Sequence, residues 1–486
     1  MANIFFELIK NDWYLFTLFF VLILILILLS EIALKKNIWP NHINRKIIHI
    51  TIGIAVSITP FLFSINLYPT FLASIFFIIN IISLKNNKLN SFHLIERESY
   101  GTIFFPLSYI LISGFFWDYP YYMTASFLIL AIADPIASVI GSSKNKNIHY
   151  NILGDKKSLN GSIAMFICTI IILSMFSKAI FHEMNISYQI IAILYTGIAI
   201  TISEGLSYKG SDNLSIPIMA FLFIELFNFL NRIDFIIIFL FFTILIILLL
   251  YLFYLKKHLS ISGFIGSSIM GILLFGFGGN IFIYPIVIFF ITSTMLSFIK
   301  KDDQKTQRIN RTINQVYANG GVALFICILN YFYSHNLIYP CFLASIAAAN
   351  SDTWGTEIGK FSNKKPIDII SGFKLENGVS GGITPNGTIG SFFGAALIGF
   401  IGFYFSIDIK IVLLIIISGF LSSIFDSILG SSIQARYISP DGSIITEKNI
   451  ESFYLYTGSK KINNDIVNLY CTISGPLIFL SLYFIV

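Results

Sequence analysis

The chain has 486 residues, 56% of them hydrophobic and only 12% charged, with a mean hydropathy of +0.81. Soluble domains carry about 25% charged residues, so soluble, disordered, collagen-like and coiled-coil classes are excluded. The net charge of +6 fits the excess of Lys and Arg that orients membrane proteins, and it calls for no nucleic acid.

Runs such as WYLFTLFFVLILILILLS and IDFIIIFLFFTILIILLLYLFYL have the length and apolar content of a bilayer-spanning helix. In chain order, sixteen spans are expected: 13–33, 47–65, 70–84, 100–116, 122–142, 161–180, 188–206, 214–230, 235–255, 259–277, 282–299, 317–333, 338–352, 383–405, 410–433 and 468–486. The fold class is an all-α polytopic membrane protein. Several spans are short enough to be tilted or broken. Of the 31 Lys and Arg, only Lys10, Lys178, Arg232 and Lys410 lie in or beside the N-terminus and alternate loops, leaving 27 on the other set. That second set is expected to be cytoplasmic, with both termini outside and the active sites facing the cytoplasm of a bacterial cell. The first apolar stretch is too long for a signal peptide and is expected to stay as a helix. Cys168, Cys327, Cys341 and Cys471 form no CxxC pair, so neither zinc nor a disulfide framework is indicated.

The polar loops carry the chemistry. NRKIIHITIG places Arg45, Lys46 and His49 on one helix face at the mouth of the second span. ERESYGTIFFPLSY leads into the fourth. ADPIASVIG puts Asp134 inside an apolar helix, where a carboxylate costs about 2.5 to 3.5 kcal/mol. GDKKSLNGSIAMF brings Lys156, Lys157, Ser158, Gly161 and Ser162 to a helix start, a setting that suits phosphate oxygens. SEGLSYKGSDNLSIP supplies Glu204, Asp212 and Asn213, and acids beside a phosphate site point to Mg²⁺.

These pieces, over residues 40–230, resemble the CTP-dependent polyprenol kinases, the family of dolichol kinase and phytol kinase. The resemblance rests on RKxxH, ERESYGTIFFPLSY, the Asp-containing helix ending in Gly141, the KS–GS element and EG…GSDN…P. It implies a membrane enzyme that moves a phosphoryl group from CTP onto an isoprenoid alcohol. ADPIAS departs slightly from the expected Asp followed by a small residue and Ala.

Further along, QRINRTINQVYANGG carries Arg308, Arg311, Gln315 and Asn319, and ANSDTWGTEIGKF carries Asn350, Asp352, Thr353, Glu357 and Lys360. SGFKLENGVSGGITPNGTIGSFFGA holds Lys374, Gly381, Gly382, Gly387 and Thr388. FDSILGSSIQARY holds Asp426, and KKINNDIVNLYCTISGP holds Asn464, Asp465 and Asn468. This part resembles plant phytyl-phosphate kinase and its bacterial relatives, which implies phosphorylation of an isoprenyl monophosphate to the diphosphate.

Two domains are expected, 1–256 and 257–486. Asp134 and Gly141 are spaced as Asp352 and Gly359 are, both pairs offset by 218, and the Gly161–Ser162 and Gly387–Thr388 pairs open the next helices. The expectation is two divergent seven-helix units, spans two to eight and ten to sixteen, with span nine restoring the orientation.

The function expected is a bifunctional kinase taking a prenyl alcohol to its monophosphate and then its diphosphate. Asp134, Asp352 and Asp426 are the catalytic candidates, Asp134 the first choice as base. Asp134, Glu204, Asp212, Asp352, Glu357, Asp426 and Asp465 are the Mg²⁺ candidates. Arg45, Lys46, His49, Lys156, Lys157, Ser158, Gly161, Ser162, Asn213, Arg308, Arg311, Asn350, Lys374, Gly381, Gly382, Gly387 and Thr388 are the nucleotide and phosphate candidates. CTP as donor comes from the resemblance alone. The alternatives are a flippase for an anionic isoprenoid lipid and a CDP-lipid synthase.

Overall fold

The computed structural model of the chain describes residues 11–85, 99–143, 147–299, 310–362, 364–376, 379–442, 445–447, 450 and 452–485. The protein is an all-α integral membrane protein, and it divides into two compact units, Met1–Ile237 and Ile238–Val486.

In unit one the helices are α1 (Asp12–Lys35), α2 (Asn41–Ser57) with its short continuation α3 (Thr59–Leu62), α4 (Leu67–Lys85), α5 (Gly101–Phe115) and α6 (Pro120–Leu128). A π-helical turn at Ile129–Ala133 leads into α7 (Asp134–Gly141). Pro135 has no N–H to give the preceding turn, which loosens the ladder just where Asp134 sits. The hairpin β1 (His149–Asn151) and β2 (Lys156–Ser158) follows, then α8 (Leu159–Ile180), α9 (Ile186–Gly205) and α10 (Asp212–Arg232).

Unit two opens with α11 (Ile236–Leu255) and α12 (Ile261–Ile299). Gly279 in α12 has φ 62° and ψ −155°, a conformation closed to residues with a Cβ. The chain turns back there. A Cβ on Gly320 would touch both Met270 and Ile286, residues that a straight helix would hold about 24 Å apart. Next come α13 (Ile313–Phe332), α14 (Ile338–Gly359), the hairpin β3 (Ile367–Asp368) and β4 (Gly382–Ile383), α15 (Pro385–Tyr404) and α16 (Ile409–Ser432). The three-stranded sheet β5 (Arg436–Ile438), β6 (Ile445–Thr446) and β7 (Tyr454–Thr457) precedes α17 (Asn464–Ile485).

Thirteen helices among the described residues are long and apolar enough to cross a membrane, counting α12 once and α6 with α7 as one. The turn at Gly279 splits α12 into two passes. The shorter α5 and the 22-residue α14, polar in its second half, bring the passes to the sixteen expected.

The division falls at 237/238, inside α11, and not at the expected 256/257. The reason is aromatic packing: Phe242 meets Phe275 on the first arm of α12 (4.8 Å), and Phe253 meets Phe290 on the second (4.8 Å). In unit one α1 packs on α2 and α4, the corresponding pair. The expected lone linking helix is therefore the counterpart of α1, and each unit has eight passes rather than seven. Other pairings recur too: α7 with α8 and α14 with α15, α9 with α10 and α16 with α17, α5 with α10 and α13 with α17.

The closest match is at the helix entry after each hairpin. Ser158 Oγ accepts a hydrogen bond from Gly161 N (3.2 Å), and Thr384 Oγ1 accepts one from Gly387 N (3.0 Å). Such a cap contributes about 1 kcal/mol. A Cβ on Gly161 would lie 3.0 Å from Ala137 O and 3.4 Å from Gly141 Cα; on Gly387 it would lie 2.9 Å from Gly355 O and 3.4 Å from Gly359 Cα. One close helix crossing is built twice.

Candidate functional site

Unit one gathers its polar motifs at one end of its helices. Asp134 lies within electrostatic reach of Asp212, Lys157, Glu204 and Arg45, and Lys46 within reach of Asp134. Lys157 donates to Glu204 Oε1 (2.5 Å) and stands 3.7 Å from Asp212 Oδ2. Burial alone would lower the Lys157 pKa, but Asp212 and Glu204 together outweigh it and hold the ammonium above its ordinary value. Ser207 Oγ also donates to Asp212 Oδ2 (3.2 Å). His49 Nε2 is 3.1 Å from the carbonyl of Leu130, inside the π-helical turn, so the loosened ladder before Asp134 also locks the imidazole. Arg45 Nη2 donates to Ser99 Oγ (3.1 Å). Asn213 is 7% exposed, and its Oδ1 has no hydrogen-bond partner.

Some expected phosphate ligands stand elsewhere. Lys156 is exposed, because alternation along β2 turns Lys157 inward and Lys156 outward. The Ser158 hydroxyl is occupied as the helix cap, and Ser162 Oγ is 2.6 Å from Tyr150 OH, pinning the hairpin to α8. Gly161 is packed against α7. Glu96, Arg97 and Glu98 of the ERESYG segment, and Arg308, lie outside the described residues.

Unit two holds a cavity of about 1040 Å³ with a polar end and an apolar end. At the polar end the carboxyls of Asp352 and Asp426 are hydrogen-bonding neighbours, and Asp426 Oδ2 is buried without a partner. Arg311, Gln315, Asn319, Glu357, Lys360, Asn464 and Asn468 also line it, as do Gly381, Gly382, Gly387 and Thr388. Ile246, Leu250, Ile286 and Phe420 line the other end. Burial pulls the Arg311 pKa down and Glu357 acts against it; the guanidinium stays charged.

The loop between α14 and α15 is fastened from below. Arg436 Nη1 donates to Asp368 Oδ2 (2.9 Å), with both side chains under 5% exposed. Arg436 also donates to Ser380 O, and Ser431 Oγ donates to Asp368 (2.7 Å). Burial by itself would raise the Asp368 pKa; the bonds from Ser371 N, Ser431, Arg436 and Ile370 N outweigh it and hold the carboxyl below the usual range. Glu447 accepts from Ser380 N (2.6 Å) and faces Asp426.

Three expected residues of unit two stand apart from the cavity. Lys374 is exposed on the hairpin loop, where its ammonium stays hydrated. Asn350 is fully buried and donates to Gly394 O (2.7 Å), tying α14 to α15. Asp465 gives way to Asn464 and Asn468, which share a face of α17 four residues apart. Sequence reasoning passed over Glu447, Asp368 and the role of Arg436. Asp368 and Arg436 are 68 positions apart, and Glu447 is an ordinary loop acid, so no local pattern marks them.

Among the described residues no three His, Cys, Asp or Glu side chains are grouped to enclose a metal ion. What each unit offers is a pair of acids and an orphaned buried oxygen, Asn213 Oδ1 or Asp426 Oδ2. That donor set fits Mg²⁺, which takes one or two carboxylates and completes its shell with substrate phosphates.

The chain is 34% identical over 231 residues to the uncharacterized membrane protein MJ0933 of Methanocaldococcus jannaschii, covering 47% of this chain and 87% of that protein. It is 28% identical over 198 residues to the phytol kinase of Synechocystis sp., covering 40% of this chain and 82% of that enzyme. With phytol kinase 1, chloroplastic, of Arabidopsis thaliana it shares 26% identity over 216 residues, 40% of this chain and 70% of that one. No solved structure matches the chain. Residues 244–476 match the family described as integral membrane protein DUF92. Through that region, and through its likeness to MJ0933, the chain belongs to the DUF92 family of integral membrane proteins.

Proposed function

We propose that this protein is a membrane phosphotransferase with two active sites, converting an isoprenoid alcohol to its monophosphate in unit one and the monophosphate to the diphosphate in unit two. Similarity to phytol kinases supports a prenol kinase activity. The observation that carries the two-site reading is the repeated scaffold. It sets Asp134 beside Lys157, Glu204 and Asp212 in one unit and Asp352 beside Asp426 in the other, each at the end of a hairpin-capped helix crossing.

In the first step the alcohol oxygen attacks the terminal phosphorus of a nucleoside triphosphate, the bond to the bridging oxygen breaks, and the nucleoside diphosphate leaves. Asp134 takes the hydroxyl proton. Lys157, held by Glu204 and Asp212, and Arg45 neutralise the phosphoryl oxygens, since such transfer is mainly positioning and charge compensation. In the second step the nucleophile is already an anionic phosphate oxygen, so cations matter more than a base, and Arg311 and Lys360 border that cavity. Asp134 and Asp212 in one unit, and Asp352 and Asp426 in the other, would hold Mg²⁺, which would supply positive charge against the phosphate oxygens. CTP is the donor proposed, by resemblance to the polyprenol kinases.

Purified protein given radiolabelled CTP and a panel of prenyl alcohols tests this reading. Sequential mono- and diphosphate products with release of CDP are expected. Release of pyrophosphate would identify cytidylyl transfer instead, and no labelled lipid would end the kinase reading. The proposed cytoplasmic orientation is tested in intact cells on a cysteine-free background. A single cysteine at Lys364 should resist an impermeant thiol reagent added outside; modification would reverse the topology.

A further inference from the structure

Unit one contains a second feature that joins its polar cluster. A cleft of about 140 Å³ begins at Arg45, His49 and Asn213 and runs into the apolar interior. Ile52 and Val56 on α2 line it, facing Ile23 on α1, Leu72 on α4 and Phe105 on α5. At the far end Thr59 Oγ1 and Tyr109 OH lie 2.7 Å apart, both side chains 2% exposed, and close it. Arg45 and Val56 are eleven residues apart on one helix, so the cleft extends about 16 Å.

We propose that this cleft binds the chain of the isoprenoid alcohol as a single extended tail. The hydroxyl then lies at Asn213, and the Thr59–Tyr109 contact sets how much chain fits. The proposal rests on the kinase reading of unit one and deepens it by locating the substrate. Three observations carry it. The walls are apolar and the polar groups cluster at the two ends, so a tail arriving from the bilayer stays in apolar surroundings along the length while the head meets hydrogen-bonding groups. A volume of about 140 Å³ drawn out over that length makes the cleft narrow, which excludes a two-tailed lipid. Asn213 Oδ1, buried and without a partner, lines the mouth and offers a polar neighbour to the alcohol head, whose O–H proton stays available to Asp134. The same O–H is then beside the Asp134 cluster, since His49, at the mouth, is an electrostatic neighbour of Asp212.

The test uses the full chain in nanodiscs and a C15 isoprenoid alcohol carrying a diazirine on its terminal isoprene unit, irradiated without nucleotide. Crosslinks are mapped by mass spectrometry. Labelling near Thr59 and Tyr109 is expected; labelling confined to lipid-facing surfaces or to unit two would overturn the proposal. Because no nucleotide is present, labelling of the cleft by a protein that never phosphorylates would sink the kinase reading and leave the cleft. Turnover with the label elsewhere would do the reverse. Two variants sharpen the result. Ala73→Phe fills the cleft midway and should raise KM for the C15 alcohol about tenfold while leaving a five-carbon alcohol nearly unchanged. Tyr109→Ala opens the closed end and should raise the C20 to C15 preference in kcat/KM about tenfold. An equal loss for short and long alcohols in Ala73→Phe, with crosslinking outside the cleft, would overturn it.

Discussion

The two units share a helix order and differ in what they place at its polar end. Unit one surrounds Asp134 with an ion-paired lysine and a half-buried arginine, connects its last two helices by a short loop, and opens into a narrow apolar cleft. Unit two brings two carboxyls together without an interposed lysine. It inserts a Gly-rich hairpin loop and a three-stranded sheet and encloses a cavity several times larger. Its buried arginine is engaged with Asp368 and serves the loop, not the cavity. Helix crossings thus persist where packing leaves no freedom, as at Gly161 and Gly387, while the loops between them set charge and volume. Under the proposed function the first arrangement takes the neutral alcohol, and the second, with Arg311 and Lys360 on its rim, takes the anionic monophosphate.

The largest expected effect separates the two sites. Asp134→Asn should slow monophosphate formation about a thousandfold, roughly 4 kcal/mol of barrier, while supplied monophosphate is still converted. Asp352→Asn should do the opposite and accumulate monophosphate. Loss of both steps in either folded variant would break the comparison into one shared site. Product analysis with alcohol and with monophosphate as starting materials measures it.

A smaller effect is confined to unit two. Asp368→Asn leaves Arg436 charged and buried, which costs about 3 to 5 kcal/mol, and should destabilise the second step while the first survives. The sign with pH follows from the depressed Asp368 pKa. Its contribution is present above the unfolded value of about 3.9 and is lost as pH falls through the lower folded value. Melting in detergent between pH 7 and pH 3 should show wild type losing this increment only below about pH 4. An Asp368→Asn protein that melts like wild type at pH 7 would remove the ion pair from the account.

The smallest effect tests the repeat itself. Gly161→Ala and Gly387→Ala place a Cβ at 3.0 and 2.9 Å from carbonyl oxygens of the facing helix. Each should cost about 1 to 3 kcal/mol, by similar amounts. Melting temperatures that fall in one variant alone would show that the two crossings are not equivalent.

Much of this was legible in sequence because membrane burial is costly for charge and backbone alike. An acid inside an apolar run, such as Asp134 or Asp426, stands out, and the sixteen passes follow from hydropathy and the alternation of Lys and Arg. The equal spacing of Asp134–Gly141 and Asp352–Gly359 marks the repeated helix crossing in the sequence itself. Local pattern also placed Gly161 and Gly387 at helix starts, and close packing against the facing helix accounts for their lack of a side chain.

Tertiary structure decided which of neighbouring candidates faces the site. Lys157 rather than Lys156 is set by strand phase, and Asn464 with Asn468 rather than Asp465 by helix phase; one residue of register moves a side chain to the other face. The Asp368–Arg436 pair and Glu447 depend on segments that meet only in the fold. The assignment of α11 to unit two rests on Phe253 meeting Phe290 across a turn at Gly279 that hydropathy does not register. Sequence by itself determined how many times the chain crosses and which loops carry charge, because those depend on the solvent. Which side chains converge depends on contacts between distant segments, and only the packed structure supplies them.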